Sequence, residues 1–301
     1  MTAEATTPAR PVRPFLWSLR RELWENRAVY LAPLVVALLM VASLLFGLRG
    51  LPKAVVTAAQ AAPKDPAVKM ARLFVAMPFD GGAAAVIVAS VIVAVFYALA
   101  SLNGERRDRS ILFWKSLPVS DRTAVAAKAT VALVIQPVVA VVLIVAAHLV
   151  MLAAAAAVLS ANGVSPALLW DRLHPVTMWL MLPYGLFFNV LWWAPVVGWL
   201  MLVSAWAKRA TFLWAVAPPL GLSLFEALAL HTTHVWKFLN YRLDDGLRIF
   251  SVGGRGGAPI EDLSQVDPMP ILTNPDLWLG LVFAAACFVA CVQLRRRHDP
   301  I

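Results

Sequence analysis

Long apolar runs separated by short polar segments dominate the hydropathy pattern of the chain. A helix needs roughly 20 apolar residues to cross about 30 Å of hydrocarbon, and six runs meet that length. None shows the alternation of apolar and polar residues that is typical of barrel strands, so each is expected to be a helix. The pattern predicts an all-α polytopic membrane protein with six transmembrane helices. Their expected bounds are 29–48, 83–102, 130–159, 178–206, 211–230 and 275–294.

The segment before the first run is amphipathic. Phe15, Leu19 and Leu23 recur at helical spacing, while the charged residues Arg20, Arg21 and Glu22 lie between them. This pattern predicts a helix over 14–28 that lies in the membrane interface, with residues 1–13 as a disordered tail. The alternative is a merely cationic lead-in to the first span.

The longest polar segment between neighbouring apolar runs covers residues 104–128, here called the coupling segment. It combines several charged residues with the aromatic pair Phe113 and Trp114, which a simple solvated turn would not need. Pro118 is expected to end the first helix of the segment, and Ser120 is a good N-cap for the next. The segment is predicted to lie at the membrane surface and to contact a soluble partner. An aromatic helix that rests on the membrane with no partner is the alternative.

Composition and charge agree with a membrane protein and indicate its orientation. The chain is 61% hydrophobic, against about 45–50% in soluble domains, and its net charge is +9. Most of its 26 Lys and Arg residues lie before the first run, in the coupling segment, between the fourth and fifth runs and in the tail 295–301. The positive-inside rule then places both termini and the coupling segment in the cytoplasm. Nucleic-acid binding is disfavoured, because the basic residues sit at the ends of spans.

A few polar residues inside the apolar runs are candidates for function. Glu226 and Asn189 are expected to line a translocation path or a dimer interface, although a solvated position for Glu226 at headgroup level, or an interhelical hydrogen bond for Asn189, is the alternative. His148 is expected to bond between helices. Cys287 and Cys291 share one helix face and are expected to pack there.

Catalysis and metal binding find no support in the pattern. No Ser/His/Asp or paired-carboxylate arrangement stands out, and His231 and His234 lack a third metal ligand. The chain has no G-x-x-x-x-G-K-[ST] run, so it is not expected to bind ATP through a P-loop, or to be an enzyme by itself.

The run from Gly104 to Arg106, continued by Ser110–Ser120 (SILFWKSLPVS), resembles the first coupling helix of bacterial ABC exporter permeases of the type V, or G-subfamily-like, architecture. The run Arg20–Glu25 (RRELWE) resembles the connecting helix of the same family. The resemblance implies a six-span permease subunit in the bacterial cytoplasmic membrane, paired with a second permease subunit and moved by a separate P-loop ATPase that binds ATP and Mg. It also implies that the outer segment 231–274 contains re-entrant helices. The implied ATPase-facing residues are Glu105, Arg106, Arg109, Leu112, Phe113, Trp114 and Lys115, and those of the connecting helix are Arg20, Arg21, Glu22 and Trp24.

Two other functions stay open at this point. A non-transporting anchor or sensor would use the same coupling segment to recruit a soluble partner. A secondary transporter is expected to show internal repeats and charges near the membrane midplane, and the sequence shows neither convincingly.

Overall fold

The computed structural model describes residues 13–59, 65–108, 119–248 and 269–297, without the side chains of 244–248 and 270. Within these ranges the chain forms helices joined by short turns, and no strand occurs among them. The helices are α1 (Pro14–Glu25), α2 (Ala28–Gly47), α3 (Leu51–Ala59), α4 (Pro66–Ser101), α5 (Asn103–Arg107), α6 (Asp121–Thr130), α7 (Gln136–Ala161), α8 (Ala167–Leu173), α9 (Pro175–Trp206), α10 (Thr211–Phe225), α11 (His234–Arg248), α12 (Met269–Leu272) and α13 (Pro275–Arg297).

Six helical stretches among the described residues are long and apolar enough to cross a membrane, which confirms the predicted number of spans. Spans 2, 3 and 4 contain 42, 41 and 40 residues. At 1.5 Å per residue each is about 60 Å long, roughly twice the hydrocarbon thickness, so these three helical stretches extend beyond the bilayer. The spans are Ala28–Ala59, Pro66–Arg107, Asp121–Ala161, Ala167–Trp206, Thr211–Leu230 and Pro275–Arg297.

The segment between the first two apolar runs is more helical than the sequence indicated. The expected bounds left residues 49–82 outside the spans as a connecting loop, but α4 is a single helix from Pro66 onward. Its start is fixed by Asp65, whose carboxylate accepts a hydrogen bond from the amide of Ala67, and by a proline at the first helical position. The residues that looked like a loop therefore continue span 2, and α3 packs back against it.

Span 3 likewise begins earlier than expected. The hydroxyl of Ser120 accepts a hydrogen bond from the amide of Thr123, as the sequence predicted for an N-cap, and the helix runs from Asp121. A π-turn at Val131–Ile135 interrupts it before Gln136.

Two buried apolar clusters hold the spans together. One joins spans 1, 2, 3 and 4 around Met40, Phe79 and Met151, toward one end of the bundle. The other joins residues of all six spans toward the opposite end, around Tyr97 and Met201. Large apolar side chains elsewhere face outward, as lipid-facing residues do.

Spans 4 and 6 approach each other closely at Gly198. A methyl group on Gly198 would lie 3.3 Å from the Cα atom of Ala284 and 3.2 Å from the Cβ atom of Cys287. Small residues permit such close packing of helices in a membrane. Cys287 and Cys291 are buried free thiols in this same contact, as the sequence indicated.

Candidate functional site

A buried group of charged side chains joins four separate parts of the chain at one end of the bundle. We call it the ionic cluster. It brings together α1, the end of span 2, the start of span 3 and the end of span 6. Its members are Arg21, Glu22, Glu105, Asp121, Lys128 and Arg295, with the phenol of Tyr97 alongside.

Glu105 lies at the centre of the cluster. Its Oε1 atom is 2.8 Å from Nη2 of Arg21 and 3.1 Å from Nζ of Lys128. Its Oε2 atom accepts a hydrogen bond from Nη1 of Arg295. Three cations from three chain segments therefore share one carboxylate whose side chain is 7% exposed.

Glu22 forms the second centre and joins α1 to the cluster. Its Oε1 atom is 2.8 Å from Nζ of Lys128, and its Oε2 atom accepts a hydrogen bond of 3.0 Å from the hydroxyl of Tyr97. Glu22 and Lys128 are almost fully buried. α1 therefore packs its charged face inward against the first turns of span 3.

Arg21 stays charged in this setting. Burial acts to lower the pKa of its guanidinium, but the neighbouring carboxylates of Glu22, Glu105 and Glu25 outweigh that effect and raise the pKa. A buried charge requires such partners, because an unpaired one loses its hydration without compensation.

Span 6 is joined to span 3 by a further pair. Nε of Arg295 is 3.0 Å from Oδ1 of Asp121. The three carboxylates of Glu22, Glu105 and Asp121 thus balance the three cations of Arg21, Lys128 and Arg295. A balanced set can be buried, whereas removing one member leaves an uncompensated charge.

Span 4 is attached to the same end of the bundle by hydrogen bonds. The hydroxyl of Ser204 accepts from the amides of Leu102 and Asn103, each at 3.0 Å. Nδ2 of Asn103 donates to the carbonyl of Ala207, and Nη1 of Arg106 donates to the carbonyl of Ala205. The start of the coupling segment is therefore fixed to spans 3, 4 and 6 at once.

These contacts change the roles expected for several residues. Glu105 and Arg106 were assigned to an ATPase-facing surface, but both side chains are buried inside the chain and contact its own helices. Arg21 and Glu22 of the connecting helix also face inward. Arg109, Leu112, Phe113, Trp114 and Lys115 lie outside the described residues.

The opposite face of α1 is aromatic and basic. Trp17 and Trp24 are each 59% exposed, and the guanidinium of Arg20 lies 4.6 Å from the centre of the Trp24 ring. These side chains border a cleft of about 280 Å³ between α1 and the start of span 3. Arg20 and Trp24 are thus the connecting-helix candidates that remain accessible.

Asn189 lies inside the bundle, where a cavity of about 50 Å³ separates spans 2, 3 and 4. Gln136, just after the π-turn of span 3, and Trp193 line the same cavity. Among the described residues, neither amide atom of Gln136, nor Oδ1 of Asn189, nor Nε1 of Trp193 has a hydrogen-bond partner. The cavity is therefore a mostly apolar pocket that holds three polar side chains without partners among the described residues.

We expect Gln136→Leu to raise the stability of the protein. Each unsatisfied buried polar group costs about 1–3 kcal/mol, and leucine fills a similar volume without that cost. The thermal midpoint of the purified protein measures the change. The matched control is Gln293→Leu, because Gln293 is exposed near the end of span 6. A lower midpoint for Gln136→Leu would show that a group outside the chain satisfies the amide.

His148 links three spans, as expected of a polar residue between helices. Its Nε2 atom lies 3.3 Å from the carbonyl oxygen of Phe79 in span 2, and its Nδ1 atom accepts a hydrogen bond from Nε1 of Trp179 in span 4.

Glu226 begins a π-turn at the far end of span 5 and caps α11. Its carboxylate accepts hydrogen bonds of 2.7 Å from the amides of His234 and Val235 and from the hydroxyl of Thr232. An anion at a helix N-terminus satisfies amides that have no partner within the helix. In the structure Glu226 therefore positions the outer segment.

Arg242 anchors α11 on the spans. Its guanidinium lies 4.3 Å from the centre of the Trp192 ring in span 4, and its Nη1 atom donates to the carbonyl of Asp276 at the start of span 6. Burial lowers the pKa of this guanidinium, although arginine remains protonated in proteins. The re-entrant geometry implied for the outer segment stays a prediction, and residues 249–268 lie outside the described ranges.

The predicted site residues do not include Lys128, Arg295, Tyr97, Gln136 or Arg242. One signal for Lys128 was available, because it follows Ala126 and Ala127 close to the apolar run, where a cation needs a partner. Gln136 was likewise a polar residue inside an apolar run. No local pattern marked Arg295, because it belongs to a run of three arginines at a span end.

Compared with known proteins, the chain matches no protein-family model, no curated protein and no solved structure.

Proposed function

We propose that the chain is the permease subunit of an ATP-driven exporter in the bacterial cytoplasmic membrane. A separate P-loop ATPase, which binds ATP and Mg, docks on the coupling segment and moves the spans. A second permease subunit, a copy of this chain or a related one, completes the translocation path. The proposal starts from the resemblance of residues 104–120 and 20–25 to the coupling and connecting helices of that family.

The observation that carries the proposal is the ionic cluster. It lies on both flanks of residues 109–118, since Glu105 precedes them and Asp121 and Lys128 follow them. A displacement of the coupling segment is therefore transmitted to α1 and to spans 2, 3 and 6 through charge-paired contacts. A loop that only connected two spans would need no such attachment.

The accessible face of the connecting helix supports a partner on the same side. Trp17, Arg20 and Trp24 lie beside the cleft next to the start of span 3, close to the coupling segment in the chain fold. Aromatic residues and arginine are enriched among the side chains that dominate binding at protein interfaces. A partner docked there would contact both the coupling segment and the connecting helix.

The experiment is purification of the chain from its native membrane, with mass spectrometry of the proteins that accompany it. We expect a stoichiometric P-loop ATPase, which is lost from Phe113→Ala/Trp114→Ala. Buried interface aromatics often contribute about 2 kcal/mol or more each, so the double variant should weaken binding by a factor on the order of 1,000.

The matched control is Trp170→Ala in α8, an exposed tryptophan at the other end of the bundle. It should retain the ATPase. Recovery of the chain alone, or with a soluble protein that has no nucleotide site, would contradict the proposal and favour the anchor function. Retention of the ATPase by the double variant would contradict the assigned docking site.

A further inference from the structure

A groove of about 520 Å³ lies between the first turns of span 3 and the last turns of span 6. Its volume is within the range of small-molecule binding sites, about 300–1,000 Å³. The floor is apolar and includes Val125, Phe288 and Val292. The groove opens toward the lipid-facing side of the bundle, where the neighbouring Val289 is 57% exposed.

Two arginines, Arg122 and Arg296, line the groove at its cytoplasmic end. Both are exposed, and neither forms an ion pair with a described residue. Their immediate neighbours Asp121 and Arg295 pair with each other in the ionic cluster. Successive residues on a helix point about 100° apart, so the bonded pair faces the bundle interior while Arg122 and Arg296 face the groove.

The groove therefore offers two cations beside an apolar channel at the level of the membrane surface. A phosphate group accepts bidentate hydrogen bonds from guanidinium groups, and an acyl chain covers apolar side chains. A free anion would leave the floor uncovered. A second copy of the chain that presented the same patch across a two-fold axis would place these arginines against their own counterparts.

We propose that this groove binds one anionic phospholipid, whose phosphate contacts Arg122 and Arg296 and whose acyl chain lies along Val125, Phe288 and Val292. The site does not depend on an ATPase partner. It connects the last turn of span 6 to the start of span 3 outside the ionic cluster. Basic pockets between transmembrane helices on the cytoplasmic side are a recognised form of lipid site.

The test is native mass spectrometry of the full chain, delipidated in detergent and titrated with phosphatidylglycerol or with phosphatidylcholine of the same acyl chains. We expect the wild type to retain one phosphatidylglycerol in preference to phosphatidylcholine. Each basic residue near a membrane surface contributes enough to change binding about fivefold, so Arg122→Gln/Arg296→Gln should bind phosphatidylglycerol about 30-fold more weakly.

Two variants separate this site from general electrostatic attraction and from misfolding. Arg209→Gln/Arg297→Gln removes the same charge from exposed positions at the same end of the bundle, and should leave binding unchanged. Ala126→Phe fills the groove without changing the charge, and should also abolish retention of the lipid.

Three results would overturn the proposal. The first is equal retention of the two lipids, and the second is unchanged binding in Arg122→Gln/Arg296→Gln. The third is the loss of a dimer in that variant with no lipid bound to the wild type, which would make the groove a contact between subunits.

Discussion

Glu105→Gln should be among the most damaging single substitutions in the chain. The change keeps the size of the side chain but leaves Arg21, Lys128 and Arg295 around a neutral amide in a buried site. Breaking a buried ion pair by removing one partner typically costs about 3–5 kcal/mol. The thermal midpoint of the purified protein should fall accordingly.

The control for this prediction is Glu25→Gln. Glu25 carries the same charge in the same region, but its side chain is 45% exposed and its carboxylate lies 3.6 Å from Arg21. Exposed pairs contribute about 0–1 kcal/mol, so the midpoint should barely change. Equal shifts for the two variants would show that Glu105 is not the centre of a buried cluster.

A second variant tests whether charge balance is the reason. Lys128→Met removes one cation that contacts both Glu22 and Glu105. In the double variant Glu105→Gln/Lys128→Met, the loss of stability should be smaller than the sum of the losses in the two single variants, because Lys128→Met reduces the excess positive charge. Strict additivity would mean that the two residues act independently.

Gly280→Ala should loosen the packing of α11 on the spans. A methyl group at this position would overlap Nη2 of Arg242 and lie 3.0 Å from Cγ of Pro195, so the guanidinium must shift in its place against Trp192. Such overpacking costs about 1–3 kcal/mol. Amide hydrogen exchange in α11 should therefore become about 5–150 times faster.

A double-mutant cycle with Arg242→Met makes that prediction specific. Arg242→Met removes the guanidinium. In that background Gly280→Ala should cause little further increase in the exchange rate of α11. Gly221→Ala is the control, because a methyl group there meets nothing within 4 Å. If Gly280→Ala accelerated exchange equally in both backgrounds, the added methyl group would clash with a residue other than Arg242.

The number and type of the spans could be predicted from sequence because they follow from local hydrophobicity. A continuous apolar run of about 20 residues is enough to identify each one. The predicted bounds were less accurate, because an apolar run marks only the part of a helix that lies in lipid, and the helix continues beyond it. Pro66, capped by Asp65, starts span 2 well before the apolar run becomes continuous.

The ionic cluster could not be predicted, because its partners are far apart in sequence. Glu105 is 84 residues from Arg21 and 190 from Arg295. Charged residues at span ends look alike whether they face water, a partner or each other. The resemblance to a coupling helix therefore predicted a surface position for Glu105 and Arg106. In the structure, packing against spans 3, 4 and 6 buries both side chains. The docking role of Phe113 and Trp114 stays a prediction.

The position of Arg295 in the last span also sets an order of events during synthesis. Glu105 and Asp121 are translated 190 and 174 residues before this partner. At about 5–20 residues per second, the two carboxylates wait about 10–40 s for it. A nascent chain that has inserted five spans still lacks one of its three balancing cations, so the final span completes the charge neutrality of the helices made before it.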